Sequence, residues 1–215
     1  WRPIDAPCDE LQNQLERLAK ILTEDCGLLY HTSAFAYIKN RSIIDCLQKH
    51  QKNESNWYLK TDFSGFFPST TLEFVMRMCS MIFPLSEICK DAHGKAELGK
   101  ALSLGFLNGG LPQGTKLSPC LTNIFMIPID HTLFNELAHR KIVYTRYADD
   151  MHISAKEHFP YKDVVQLIRK VLKDFNAPYE LKDEKTHFGS RKGKNWNLGL
   201  MVNADNNITV GYRNK

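Results

Sequence analysis

Leu11, Leu15, Leu18 and Leu22 recur at three- and four-residue intervals, which predicts a helix that Asp9 can cap and Gly27 can end. Ser42-Ile43-Ile44-Asp45 predicts a second helix running to about His50, with the serine capping and Asp45 favourable near the positive end. Trp57 to Asp62 reads as a strand. After Pro68, Thr70-x-x-Glu73 has the form of a capping box, and Leu72, Val75, Met76, Cys79 and Phe83 repeat at helical spacing. Residues 84–110 lose the pattern, with a polar, glycine-containing passage from Asp91 to Gly99, and read as helix fragments and loops.

Ser118-Pro119 predicts another helix start, with Leu121, Ile124 and Phe125 on one face and Pro128 as an interruption. Ile142 to Tyr147 and Met151 to Ser154 are two short strands around an acidic turn; Val164, Ile168, Val171, Leu172 and Phe175 then mark an amphipathic helix. Tyr179 to Lys182, Trp196 to Val202 and Ile208 to Tyr212 read as further strands, the last two paired through Asn203-Ala204-Asp205-Asn206-Asn207. With no evenly repeated strand-helix unit, this order predicts an α+β domain, an antiparallel sheet packed on helices.

The 215 residues, 43% of them hydrophobic, suffice for a sizeable core in one large domain or two fused lobes. A formal charge of +4 suits a polyanionic partner but is common among ordinary soluble proteins, so charge decides little. Six dispersed cysteines without a C-x-x-C pair point to a reduced cytoplasmic protein lacking structural zinc. No stretch approaches the ~18 apolar residues needed to span a bilayer, so no membrane partner is expected. Trp1 in place of an initiator methionine points to a piece cut from a longer chain.

Candidate chemistry sits in Tyr147-Ala148-Asp149-Asp150. Adjacent carboxylates at a tight turn repel each other, and Asp62 adds a third acid at the end of the strand Leu59-Lys60-Thr61-Asp62. If the strand ends are neighbours, three carboxylates converge on a hard cation such as Mg²⁺. Two such ions, about 3.5–4 Å apart, suit in-line phosphoryl displacement. A solvated turn with an unrelated Asp62 is the bland alternative. Leu111-Pro112-Gln113-Gly114, leading into Ser118-Pro119, adds a glycine that permits close backbone approach and a glutamine that both donates and accepts.

Taken together, Trp1-Arg2-Pro3-Ile4, Thr61-Asp62-Phe63-Ser64-Gly65-Phe66-Phe67, Leu111-Pro112-Gln113-Gly114 with Ser118-Pro119, Tyr147-Ala148-Asp149-Asp150, Lys185-Thr186 and Leu198-Gly199 resemble the successive motifs of the reverse transcriptases, over nearly the whole chain. The resemblance implies a right-hand polymerase palm with partial fingers and no thumb: fingers over 1–56, palm over 57–83, a connection over 84–116 and palm again over 117–215. It implies that Asp62, Asp149 and Asp150 hold two Mg²⁺ ions, with Mn²⁺ as a possible substitute, and that the Phe63 carbonyl adds a ligand. Lys185 is implied as the acid that protonates pyrophosphate, with Lys182 close by. Arg2, Phe67, Gln113 and Gly114 are implied at the deoxynucleotide, Phe67 as the aromatic that excludes a ribose 2′-hydroxyl, a role Phe66 could fill instead. Leu198 and Gly199 resemble a primer-gripping hairpin, and Arg41 and Arg146 are candidates for nucleic-acid backbone or for surface ion pairs.

The implied partners are an RNA template, a DNA or RNA primer, deoxynucleotides and a structured non-coding RNA. The details look like bacterial retron or group II intron enzymes. Cys46-Leu47-Gln48-Lys49-His50 and Asn197-Leu198-Gly199 depart from the retron pattern and leave a CRISPR-associated or other defence relative open. An RNA-dependent RNA polymerase and an RNA-binding, maturase-like module are the competing readings.

Overall fold

The computed structural model describes residues 4–191 and 199–210. Along the chain run α1 (Asp9–Cys26), α2 (Ile43–Lys52), β1 (Trp57–Ser64), α3 (Phe66–Ser69), α4 (Leu72–Cys79), α5 (Leu85–Lys90), α6 (Ala92–Ser103), α7 (Leu117–Phe125) and α8 (Ile127–Ala138). Then come β2 (Val143–Tyr147), β3 (Asp150–Ala155), α9 (Tyr161–Asp174), β4 (Glu180–Leu181), β5 (His187–Ser190), β6 (Leu200–Val202) and β7 (Ile208–Val210). Helices with antiparallel sheets make the α+β class that the element order predicts. The chain divides into two compact units, one of residues 1–31, 65–129 and 172–179, the other of 32–64, 130–171 and 180–215.

The first unit is helical. Leu15, Ala19, Leu22 and Cys26 bury one face of α1, which packs against α7, and α4 packs against α7 through its buried Phe74, Val75, Met78 and Cys79. Phe66, Phe74, Phe125 and Tyr179 form an aromatic cluster with ring centroids 5.0–6.4 Å apart. Such tilted and edge-on pairs add to the burial of large apolar area.

Several local expectations shift here. Asp9 lies inside the first turn of α1 rather than capping it, because Cys8 is the extended residue before the helix. Gly27 keeps right-handed geometry (φ −61°), so the chain tightens into a short 3₁₀ turn at Gly27–Leu29 instead of reversing. The cap of α4 is Thr71, which accepts from Phe74 N, while Thr70 donates to Phe66 O and meets the Tyr179 hydroxyl. Phe83 is 67% exposed, beyond the end of α4. The polar stretch after Asp91 is a full helix, α6, capped by the Asp91 carboxylate on Gly94 N. Two internal glycines and a single buried residue, Leu102, hid it from periodicity. At α7 the hydroxyl that meets the first turn is Thr115, which accepts from Ser118 N, whereas Ser118 is buried and donates to Pro112 O.

The second unit holds the main sheet, ordered β2-β3-β1-β4 with β5 also pairing β1, all antiparallel. β1 is central because both its faces are buried: Tyr58, Leu59, Thr61, Asp62 and Phe63 are each at most 3% exposed. Helix α2 begins at the expected serine cap, which the structure extends to a reciprocal capping box of Ser42 with Asp45, and packs on β2 and on the hairpin β6–β7. That hairpin closes through Asn203 and Asn207, as expected; residues 196–198 and 211–212 of its predicted strands lie outside the described residues.

Under the sheet, a polar chain crosses the interface between α2 and the strands. Cys46 Sγ donates to Thr145 Oγ1 (3.2 Å), His50 Nε2 meets Thr145 Oγ1 (2.8 Å), His50 Nδ1 meets Ser154 Oγ (2.6 Å), and Ser154 donates to Ser55 (2.7 Å). Because the Ser154 proton points to Ser55, the neutral imidazole carries its hydrogen on Nδ1 and accepts at Nε2. Burial lowers the His50 pKa to about 3, which keeps it neutral.

Candidate active site

The strands of the second unit bring the acids together. Asp62 in β1 is the cross-strand partner of Asp150 in β3, and opposed residues of an antiparallel pair project to one face. Asp149 fills the two-residue loop between Tyr147 and Asp150, which are themselves paired. The first loop residue, Ala148, has φ +57°, the sign that mirror-image hairpin turns require and that a side chain resists by about 1–2 kcal/mol. Phe63 N donates to Asp149 O (3.4 Å), tying the loop back to β1.

Electrostatics at this end of the sheet are unbalanced. Asp62 is 2% exposed; Lys185 Nζ donates to its Oδ2 and Lys182 Nζ stands 3.6 Å away, while Oδ1 is buried with no hydrogen-bond partner. Lys60 Nζ lies 3.1 Å from Asp150 Oδ1. Asp149 reaches the Asp62 carboxylate, and burial first, then Asp62, raises its pKa above the ordinary carboxylate value. Hydrogen bonding to Asp62 raises that of Lys185.

Among the described residues no group of three or more His, Cys, Asp or Glu side chains stands in metal-holding geometry. The expected three-carboxylate cage is therefore gathered but not closed. Ammonium groups stand against two of these carboxylates, Lys182 and Lys185 at Asp62 and Lys60 at Asp150. The donor set nonetheless fits a hard divalent cation: oxygen ligands only, an unpartnered buried carboxylate oxygen, and two like charges in reach of each other.

The other predicted residues fall in several places. Phe67, half-buried in α3 of the first unit, accepts Leu111 N at its carbonyl, which ties α3 to the Leu111–Gly114 loop of that unit. Phe66 is the core aromatic, 3% exposed, so Phe67 is the more accessible of the two. Gln113 is half-buried, its carbonyl accepting Asp5 N. Gly114 has φ +114°, a conformation that side chains rarely adopt, and a Cβ there would also crowd Ile4 (2.7 Å) and the Asp5 carbonyl (3.1 Å), so the backbone favours glycine here. Arg41 is half-buried and donates to Ala34 O (2.7 Å). Gly199 is exposed with φ +91°; Arg2 and Leu198 lie outside the described residues.

Arg146 is a correction. Its side chain is 1% exposed and bound to Asp130, which leaves no surface for a nucleic-acid backbone. Nε donates to both Asp130 oxygens (3.0 and 3.2 Å), Nη2 to Oδ2 (2.7 Å) and Nη1 to Ala148 O (3.1 Å), while Tyr144 donates to Oδ1 (2.7 Å). Sequence reasoning passed over Asp130 and Tyr144, since nothing local marks a partner 16 residues away. It also passed over Lys60, which was legible: two residues before Asp62 on one strand means the same face.

Residues 1–202 match the family model described as reverse transcriptase (RNA-dependent DNA polymerase). The retron Ec73 reverse transcriptase of Escherichia coli is 28% identical over 188 residues, 84% of this chain and 58% of that protein. The retron Mx162 reverse transcriptase of Myxococcus xanthus is 27% identical over 220 residues, 94% of this chain and 44% of that protein. A telomerase of Candida albicans, solved with a fragment of telomeric RNA, shares the fold at a TM-score of 0.61 and 15% identity, covering 94% of this chain and 37% of the other. The apo telomerase of Candida tropicalis, truncated from its C-terminal domain, matches at 0.57 and 15%, covering 94% and 45%. The chain thus spans about half the length of the proteins it resembles, and it belongs to the reverse transcriptase family.

Proposed function

We propose that this chain carries the catalytic palm of a retron-like RNA-directed DNA polymerase, which extends a DNA or RNA primer with deoxynucleotides on an RNA template. In this reading 57–83 and 117–215 supply the palm, 1–56 the partial fingers and 84–116 the connection. The observation that carries it is the buried, unpartnered Oδ1 of Asp62 beside an Asp149 whose pKa is raised. Such a pair is unfavourable by itself and becomes favourable with a divalent cation between its oxygens.

Asp62 and Asp149, with Asp150 and the Phe63 carbonyl, would hold Mg²⁺, and Mn²⁺ by the same chemistry. When bound, two such ions supply the positive charge that activates a primer 3′-hydroxyl and stabilises the leaving oxygen of an in-line displacement at the α-phosphate. Lys60 holds Asp150 in place. Lys185 keeps its proton at Nζ, as a donor to departing pyrophosphate requires. Phe67, Gln113 and Gly114 take the deoxynucleotide roles that the resemblance assigns, and a structured non-coding RNA is a fitting further partner. Among the described residues no helix is long and apolar enough to cross a membrane.

Primer extension on an RNA template with Mg²⁺, comparing the wild type with Asp149→Asn, tests the reading; extension by both alike would reject it. RNA retention without extension, weakening steeply with salt, would favour the maturase-like module. Phe67→Ala should raise ribonucleotide use relative to deoxynucleotide use by about tenfold, or roughly 1.4 kcal/mol. An unchanged ratio would remove Phe67 as the steric gate.

A further inference from the structure

Two features meet at the residue before Asp149. Ala148 is buried and held at φ +57° without glycine's freedom, and its carbonyl receives Arg146 Nη1 at 3.1 Å. The guanidinium that makes this bond is fixed on its other edge by three contacts to Asp130, a residue 0% exposed, which Tyr144 also engages. The Arg146 backbone is pinned as well: its N–H donates to Ser33 O (2.7 Å) and its carbonyl accepts Phe35 N (3.0 Å). A planar fork held on one side is a rigid arm, and here the arm ends on the peptide that determines where the next side chain points.

We propose that Arg146, set by Asp130 and Tyr144, is a positioning residue for Asp149: its Nη1 holds the Ala148 carbonyl and fixes the strained turn from which that carboxylate is presented. The inference rests on the reading that Asp149 serves nucleotidyl transfer. A lysine at 146 can neutralise Asp130, but a single ammonium lacks the fork that also reaches Ala148 O.

The test compares wild type, Arg146→Lys and the apolar replacement Tyr144→Phe/Asp130→Leu/Arg146→Met, which removes the buried charges together and so preserves folding. In a folded variant, extension kcat should fall about 10- to 100-fold with the deoxynucleotide KM within about twofold, and Mn²⁺ should bind about tenfold more weakly by water-proton relaxation. A merely structural pair predicts wild-type kcat and Mn²⁺ affinity in whichever variant folds, and that result would overturn the proposal. The wild type gives a third readout independent of any substitution. Backbone ¹⁵N relaxation should find Ala148 and Asp149 as rigid as the flanking strands, with order parameters about 0.85; values below about 0.6 would overturn the brace. A wild-type chain that is rigid there and binds Mn²⁺ but extends no primer counts against the proposed function and leaves the brace standing.

Discussion

Asp130 and Asp62 are acids of one structural unit, 0% and 2% exposed, and they have opposite surroundings. Both oxygens of Asp130 are engaged, by Tyr144 and by the Nε–Nη2 edge of Arg146, so its charge is neutralised and each oxygen is met. Asp62 has lysines on Oδ2 only, its Oδ1 unpartnered and Asp149 pressed close. An unmet buried acceptor is unfavourable by about 1–3 kcal/mol. The contrast separates an acid whose two oxygens are both met from one with an oxygen left unmet, and it does so without reference to any relative.

The strongest way to break the contrast is Asp149→Asn. Removing one of two crowded charges should lower extension by at least about 1,000-fold, roughly 4 kcal/mol of transition-state stabilisation. The same substitution should leave the metal-free fold as stable as the wild type or more so, since the repulsion with Asp62 is gone. Urea unfolding beside primer extension reads both; a large loss of stability would put Asp149 in the structural class with Asp130.

The mirror experiment is Asp130→Ala. It leaves the Arg146 guanidinium buried without its counter-charge and should destabilise the chain by about 3–5 kcal/mol in urea. Mg²⁺ should not restore the loss, because a cation supplies no anion to the buried Arg146 guanidinium. Full recovery on adding Mg²⁺ would show that the two acids are one electrostatic system.

Much of this site was legible. The acidic hairpin, the strand that carries Asp62 and the serine cap of α2 follow from residue spacing and turn chemistry, although that strand runs two residues past Asp62, to Ser64. What stayed hidden depends on tertiary position. Arg146 sits inside a motif and so reads as a functional cation, yet its burial is decided by α8, whose Asp130 has no sequence link to it. The pairing of Lys185 with Asp62 needed the chain path after β4, whereas the shared face of Lys60 and Asp62 was open to spacing alone and only its pairing with Asp150 needed the strand register. Helix α6 escaped because its two glycines and nearly uniform polarity conceal a face that buries little.

Lys185→Ala sharpens the comparison from the cation's side. Loss of a general acid predicts extension about 100-fold slower, whereas loss of a competitor for Asp62 Oδ2 predicts tighter Mn²⁺ binding. Both should appear together, in kinetics and in a Mn²⁺ titration. Slower extension with weaker Mn²⁺ binding would instead make Lys185 a strut for Asp62.

The smallest expected effect uses pH to tell the two kinds of buried group apart. His50 is neutral in the fold with a pKa lowered to about 3, and burial lowers His152 as well, so between pH 6.5 and 3 the unfolded chain binds more protons than the folded one. Stability therefore falls as pH falls through that window, by about 1.4 kcal/mol per pH unit per histidine, or roughly 2 kcal/mol from His50 at pH 5. Asp149 has the opposite sign: its raised pKa means the folded state takes up a proton first, so acidification relieves its repulsion. His50→Gln should remove about 2 kcal/mol from the difference in urea stability between pH 7 and pH 5, with the remaining loss assigned to other groups such as His152. Retention of the full difference in that variant would mean that His50 is protonated within its network, and that the donor-acceptor chain from Cys46 to Ser55 runs the other way.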